Sequence, residues 1–313
     1  MTRREMVKAA IGHQETERAP YCMTFTPDGE KRLQTLIGPR SAKDFVDNDV
    51  IQIWPPWWGW NDLGTEWREP EFPTSRERVT GVGSYEKFAD TLKLLRDNSD
   101  KYILAMIYCS HFEKANSARS IENFLADMAG EKETSRKFLN RLIDRNMVML
   151  ENFLCAPEID GVLLGSDWGS QRDLLMSPAV WQDLIRPGEQ REYDLVHGYG
   201  KDVWIHSCGN IEKVIPSLVE MGMDVLNPVQ PEAMDIAALK EKFGARLSFW
   251  GGISTQQALP FGTPDEVKRE ARRVRDIMGR NGGYILSPSQ EIQGDVPAEN
   301  VLALLEVARE RRS

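Results

Sequence analysis

Short apolar runs alternate with longer amphipathic segments along most of the chain. Runs of four to eight residues rich in β-branched and aromatic side chains occur at 21–25 (YCMTF), 50–54 (VIQIW), 102–109 (YILAMIYC) and 161–166 (GVLLGS). Four more follow at 203–206 (VWIH), 225–229 (VLNPV), 247–251 (LSFWG) and 283–288 (GYILSP). Such runs read as strands, while apolar positions recurring every three to four residues predict helices. The clearest helical patterns cover 86–98, 132–155, 178–198, 211–222, 235–243, 264–280 and 297–312. Ser177 before Pro178, Thr263 before Pro264 and Asp295 shortly before Pro297 place a capping side chain next to a proline at a helix start. Strands that are nearly all apolar, each followed by a helix, imply a parallel sheet covered on its outer side. Eight such runs predict an α/β fold, a (β/α)8 TIM barrel with N-terminal insertions, over residues 1–313 as a single domain. An open doubly wound sheet is the runner-up, but no Gly-rich dinucleotide fingerprint follows any of the runs.

Composition narrows the function rather than the fold. The chain has 313 residues, of which 41% are hydrophobic and 28% charged. No window approaches the roughly 18 consecutive apolar residues of a membrane span, and the N-terminal twenty residues turn polar before a secretory h-region can form. Cys22, Cys109, Cys155 and Cys208 have no regular spacing, so they predict no disulfide framework. These features predict a reduced, cytoplasmic protein with no membrane partner. A net charge of −9, without any dense Lys/Arg cluster, argues against nucleic acid as a partner. Small-molecule chemistry is what remains.

In a barrel that chemistry gathers where strands end. The run ends carry Thr24 and Thr26, the WPPWWGW segment at 54–60, Cys109 and His111, Ser166 and Asp167, His206 and Cys208, Asn227 and Gln230, Trp250, and Ser289, Gln290 and Glu291. The pair in VWIHSCGN stands out. Residues two apart on a strand share a face, so His206 and Cys208 can approach one cation, and imidazole plus thiolate suits zinc. The plain alternative is a small buried cysteine and a hydrogen-bonded histidine. Asp167 can orient His206, bind substrate or cap a turn. Asn227 and Gln230 offer uncharged hydrogen bonds to a substrate, or serve the turns around Pro228 and Pro231. Trp57 and Trp58, with Trp54 and Trp60, suit an aromatic wall for a quaternary ammonium or a methoxylated ring, and equally an interface of a homo-oligomer. Arg172 can hold a substrate carboxylate or lie on the surface. Glu66 and Arg68 read as a solvated hairpin.

These stretches together carry a resemblance. GSDWGSQRDLLMSPAVW, VWIHSCGNI, DVLNPVQPEAMD, LSFWGGISTQQALPFGTPDEV and GGYILSPSQEIQGDVPAENVLAL make the chain, from about Gly165 onward, similar to the uroporphyrinogen decarboxylase superfamily. RAPYCMTFTPDGEKRL and DLGTEWRE match more loosely. That superfamily includes zinc-dependent methyltransferases acting with corrinoid proteins or thiol cofactors. The resemblance implies a barrel, and it divides the candidate activities in two.

The decarboxylase branch carries an arginine-rich stretch after its first strand to clamp the carboxylates of a tetrapyrrole. Here TFTPDGEKRL supplies only Lys31 and Arg32, at positions of a following helix, and Arg18 precedes the strand. The methyltransferase branch holds zinc with His-x-Cys and a second cysteine after the last strand. His206 and Cys208 match the first half, while Gln290, a weak zinc ligand, occupies the cysteine position; either Glu291 or a displaced donor such as His111 or Cys109 completes the site, or it binds a different metal, or it binds none. The resemblance thus implies catalysis by Asp167, His206 and Cys208. The strand ends and the tryptophan segment offer a substrate pocket drawing on Trp57, Trp58, His111, Asn227, Gln230, Trp250 and Gln290, and the expected metal, Zn2+, draws on His206, Cys208, Gln290 and Glu291. The expected activity moves a methyl group from a small methylated substrate to a corrinoid protein, a thiol or a folate. A carboxy-lyase of the decarboxylase type and a barrel that only binds ligand are the alternatives.

Overall fold

The computed structural model describes residues 1–56, 85–107 and 110–311. The chain divides into two compact units: Met1–Ile51 with Asp100–Tyr102 and Asp224–Ser313, and Gln52–Ser99 with Ile103–Met223. Seven strands are present among the described residues, β1 (Val50–Ile53), β2 (Tyr102–Met106), β3 (Gly161–Leu164), β4 (Asp202–His206), β5 (Val225–Val229), β6 (Ser248–Ile253) and β7 (Tyr284–Pro288). Helices separate them, and the pairs β2–β3, β3–β4, β5–β6 and β6–β7 are all parallel. This is the alternating α/β pattern the periodicity predicts. Strands β2, β3, β5, β6 and β7 are buried along their whole length, which is why their sequences are continuous apolar runs rather than alternating ones.

In the first unit β5, β6 and β7 lie side by side, with helices Ile236–Phe243 and Pro264–Met278 between them and Ala298–Arg309 after them. Thr263 caps Pro264–Met278 in a full capping box with Glu266, as its Thr-Pro start signal predicts. Asp295 does not cap the last helix: Pro297 stands at that position and contributes no side-chain bond.

The expected first strand is also corrected. YCMTF forms no ladder, only two isolated parallel bridges, Tyr21 to Leu286 and Phe25 to Ile292. Between them the Cys22 N–H donates to the Leu286 carbonyl and the Thr24 carbonyl accepts the Ile292 N–H, but Met23 is satisfied by a side chain instead. Met23 N–H donates to Asn48 Oδ1 at 2.8 Å, and Asn48 Nδ2 donates to the Met23 carbonyl at 2.8 Å. A strand-like run whose central residue is met by an asparagine does not need a strand neighbour at that point. Among the described residues there are therefore seven strands where eight runs were counted, and the segment expected to hold N-terminal insertions lies largely outside them.

One buried ion pair anchors this part of the unit. Arg18 grips Asp49 with both guanidinium nitrogens, at 2.6 and 2.7 Å, and Asp49 also accepts the Tyr21 N–H at 2.9 Å. Asp49 is fully buried. Asp49→Ala is expected to lower stability by about 3–5 kcal/mol, because it leaves a largely buried guanidinium without its counter-charge. Urea unfolding measures this, and a loss below about 1 kcal/mol would place the pair among ordinary surface bridges.

The second unit sets β2, β3 and β4 against helices Tyr85–Asn98, His111–Arg119, Ile121–Gly130, Lys132–Leu154, Arg186–Gly198 and Ile215–Met221. The predicted helix over 178–198 forms with a wide turn inside it: Trp181–Ile185 is π-helical, and the Arg186 N–H reaches the Trp181 carbonyl. Ser177 caps its start, accepting from the Val180 N–H. The two helices between 111 and 130 escape the periodicity reading because the first of them buries His111 and Lys114 beside Phe112 and Ala115, which breaks the apolar stripe. Among the described residues, no helix is long and apolar enough to cross a membrane.

Candidate functional site

The site follows from the pairing of β3 with β4. Their parallel register runs from Gly161 opposite Asp202 to Leu164 opposite Ile205. The residues at and just past the ends of the two strands, Gly165–Ser170 and His206–Asn210, are therefore laid side by side. Three bonds lace the two loops. The Trp168 N–H donates to Ser207 Oγ at 3.1 Å, the Cys208 N–H to Asp167 Oδ1 at 2.7 Å, and the Asn210 N–H to the Ser170 carbonyl at 2.7 Å.

The loops approach too closely for side chains at three glycines, and at Gly169 an added Cβ would come 2.6 Å from the Cys208 carbonyl oxygen. A Cβ on Gly165, whose φ is +108°, would come 2.3 Å from the His206 carbonyl oxygen, and one on Gly209, at φ +80°, would come 2.5 Å from that of Ser170. Glycine is the residue both positions require.

Three chemical side chains converge there. Cys208 Sγ is 3.4 Å from His206 Nε2, and His206 Nε2 is 3.7 Å from Asp167 Oδ1. All three donor atoms lie within 4.8 Å of one another. The His206 side chain is 16% exposed and that of Asp167 35%, so the group is sheltered yet reachable. Trp168, next to Asp167, is wholly buried and meets Trp181 edge to face at 5.5 Å, giving one side of the loop a rigid apolar backing.

The structure refines the reading of the His-x-Cys pair. Strand β4 ends at His206, so Cys208 stands beyond the strand and is held by Asp167 through its backbone. Asp167 thereby does two things with one oxygen: it fixes the turn that carries the thiol, and it approaches the imidazole. Its partnership with His206 is visible only once β3 and β4 are paired.

Zinc would fit this donor set. Ligands about 2.0–2.3 Å from a tetrahedral zinc stand roughly 3.3–3.6 Å apart, close to the separations of the thiol, imidazole and carboxylate here. One sulfur, one nitrogen and one oxygen donor, all partly exposed, match the three protein ligands of a catalytic zinc.

The remaining candidates lie elsewhere in the chain. Asn227, Gln230 and Trp250 belong to the other unit, all buried; Asn227 Nδ2 donates to the Trp250 carbonyl at 3.2 Å, and the Gln230 carbonyl accepts the Ala233 and Met234 N–H groups in a turn. Gln290 and Glu291, also in that unit just after β7, are exposed. His111 is fully buried among Ser110, Glu189 and Glu192, in a cluster that shares no residue with the triad. Arg172 is exposed. Trp57, Trp58, Trp60, Glu66, Arg68 and Cys109 lie outside the described residues. Sequence reasoning passed over Glu189 and Glu192. Their signal was available: with Ile185, Tyr193 and Val196 they occupy the buried stripe of one helix, where acids do not belong.

Parallel strands with a thiol, an imidazole and a carboxylate gathered past the ends of β3 and β4 define an α/β protein of the kind that hosts small-molecule chemistry at its strand ends. The family model described as Uroporphyrinogen decarboxylase (URO-D) matches residues 75–311, and the chain belongs to that family. It is 20% identical to the uroporphyrinogen decarboxylase of Methylococcus capsulatus over 90% of this chain and 83% of that protein. It is 27% identical to the methylcobamide:CoM methyltransferase MtaA of Methanosarcina barkeri, over 42% of this chain and 36% of that one. Among solved structures, a methyltransferase from Methanosarcina mazei superposes with a TM-score of 0.71 at 19% identity, covering 99% of both chains, and so has the same fold.

Proposed function

We propose that the chain is a metal-dependent methyltransferase that moves a methyl group from a small methylated substrate to an acceptor that is a corrinoid protein, a thiol or a folate. The observation that carries this reading is the convergence of Asp167, His206 and Cys208 within 4.8 Å. A metal such as Zn2+ on these residues supplies Lewis acidity that lowers the pKa of a thiol, making thiolate available as the attacking group at neutral pH. The chain's own residues do the positioning. Cys208 and His206 would hold the metal, and Asp167 keeps the Cys208 turn in place through its N–H while presenting a carboxylate to His206. The buried Trp168 and Trp181 back this loop with an apolar wall.

The decarboxylase alternative is disfavoured by Arg18. A substrate bearing many carboxylates needs guanidinium partners in bidentate geometry, and Arg18 already spends its fork on Asp49. Similarity to a methylcobamide-dependent enzyme supports methyl transfer and a corrinoid as the methyl carrier.

The test is an assay of the purified chain with methylcobalamin and a panel of small thiols, following the loss of the methylcobalamin absorbance. Thiol-dependent demethylation well above the protein-free rate is expected. Its absence with every thiol, together with porphyrin formation from uroporphyrinogen, would transfer the assignment to the carboxy-lyase. Tight ligand binding with neither reaction would make the protein a binding barrel.

A further inference from the structure

A second polar cluster lies inside the helical part of the same unit. Helix Arg186–Gly198 carries Glu189 and Glu192 one turn apart, and both are completely buried. His111, equally buried at the start of its own helix, brings Nδ1 to 3.3 Å from Glu189 Oε1. Ser110 Oγ donates to Glu192 at 2.9 Å, and Asn146 Nδ2 donates to Glu192 Oε1 at 2.7 Å. Donor atoms of His111, Glu189 and Glu192 lie within 4.8 Å of one another. A Cβ on Gly188 would come 3.1 Å from His111 Nε2, so the imidazole sits directly on this helix.

What remains unsatisfied points to a ligand. Among the described residues Nε2 of His111 completes no hydrogen bond although it is fully buried, and neither oxygen of Glu189 meets a donor at full hydrogen-bond geometry, its polar neighbours being His111 Nδ1 at 3.3 Å and the Tyr193 phenol. Buried polar atoms without partners are rare, and each calls for an explanation. Burial, and then the negative charge of Glu189, pushes the Glu192 carboxyl up to about 7. Burial and Glu189 also hold the Tyr193 phenol well above its ordinary range. Two acids at this depth repel one another, and one imidazolium would offset only one of them.

We propose that His111, Glu189 and Glu192 form a second metal site, for one first-row divalent cation. A +2 ion neutralises both carboxylates, and it uses the acceptor capacity that His111 and the Tyr193 phenol leave on Glu189. The donor set is one imidazole nitrogen and carboxylate oxygens, without sulfur. It therefore suits Mn2+, Fe2+ or Zn2+, in contrast to the thiolate-bearing triad. The π-helical turn just before this helix sits where such turns are often found, beside a functional site.

The experiment uses the His206→Ala/Cys208→Ser variant, in which the triad cannot hold metal. The protein is stripped with chelator, dialysed at neutral pH against Mn2+, Zn2+ or anaerobic Fe2+, and assayed for bound metal and melting temperature. About one equivalent of one of these ions is expected to stay bound and to raise the melting temperature by several degrees. Adding Glu189→Gln, which keeps the side chain's shape, is expected to abolish both effects. No retained metal and no thermal shift with any of the three ions would overturn the proposal, leaving a proton shared by the two acids as the occupant. Full retention in the Glu189→Gln background would overturn it equally. Should Glu189→Gln fail to fold, the thermal shift of the parent variant decides alone. The triad is disabled in every arm, so failure here leaves the methyltransferase reading untouched.

Discussion

Under the proposed function, Cys208→Ser is expected to abolish metal binding by the triad and to lower methyl transfer at least about 100-fold, with little change in stability. The sulfur stands 3.4 Å from His206 Nε2 and is the one soft donor in the group. A serine hydroxyl in its place stays protonated at neutral pH and is a poor zinc ligand, so the remaining imidazole and carboxylate cannot hold the ion tightly. The fold has little stake in that atom. Cys208 is half-buried, and its structural bond, from its N–H to Asp167, runs through the backbone and survives the substitution. Elemental analysis, the demethylation rate and a thermal melt of the same preparation separate the two consequences. A variant that keeps one zinc and the full rate would remove the triad from the mechanism; one that loses both and also melts early would make Cys208 a structural residue.

Gly165→Ala is expected to lower stability by about 2–5 kcal/mol and to weaken metal binding with it. Two penalties combine there. A φ of +108° is a conformation that residues with a Cβ rarely adopt, and the added carbon would sit 2.3 Å from the carbonyl oxygen of His206 and 2.9 Å from its nitrogen. Those are backbone atoms, which cannot swing aside as a side-chain tip would. Relief requires the end of β3 to move away from the end of β4, which carries Asp167 away from His206. Gly200 supplies the control. Its φ is +68°, but no atom of the described residues lies within 4 Å of an added Cβ, so Gly200→Ala bears conformational strain alone, about 1–2 kcal/mol. Denaturant unfolding of both variants checks the argument. Equal losses would mean that the loops are not in close contact at Gly165.

Much of the architecture was legible before the structure. Continuous apolar runs marked β2, β3, β5, β6 and β7 because these strands are buried on both faces, and the Ser-Pro and Thr-Pro pairs marked two helix starts that cap as expected. His206 and Cys208 were legible as a pair because only one residue separates them. The misreadings have a common origin. YCMTF has the composition of a strand, yet Asn48 answers the Met23 amide and carbonyl that a neighbouring strand would otherwise have met. Asp295 has the right type for a cap, but the helix begins one residue after Pro297 instead.

Local pattern, then, determined which segments are strands and helices, because backbone geometry imposes a period that each segment carries within itself. What only the tertiary structure decided is which side chains meet. Asp167 reaches the Cys208 amide across 41 positions because β3 and β4 pair in one particular register. His111 meets Glu189 and Glu192 because two helices are packed together in the core. Neither convergence is written in any single segment, since register and packing are set by what the whole chain must bury.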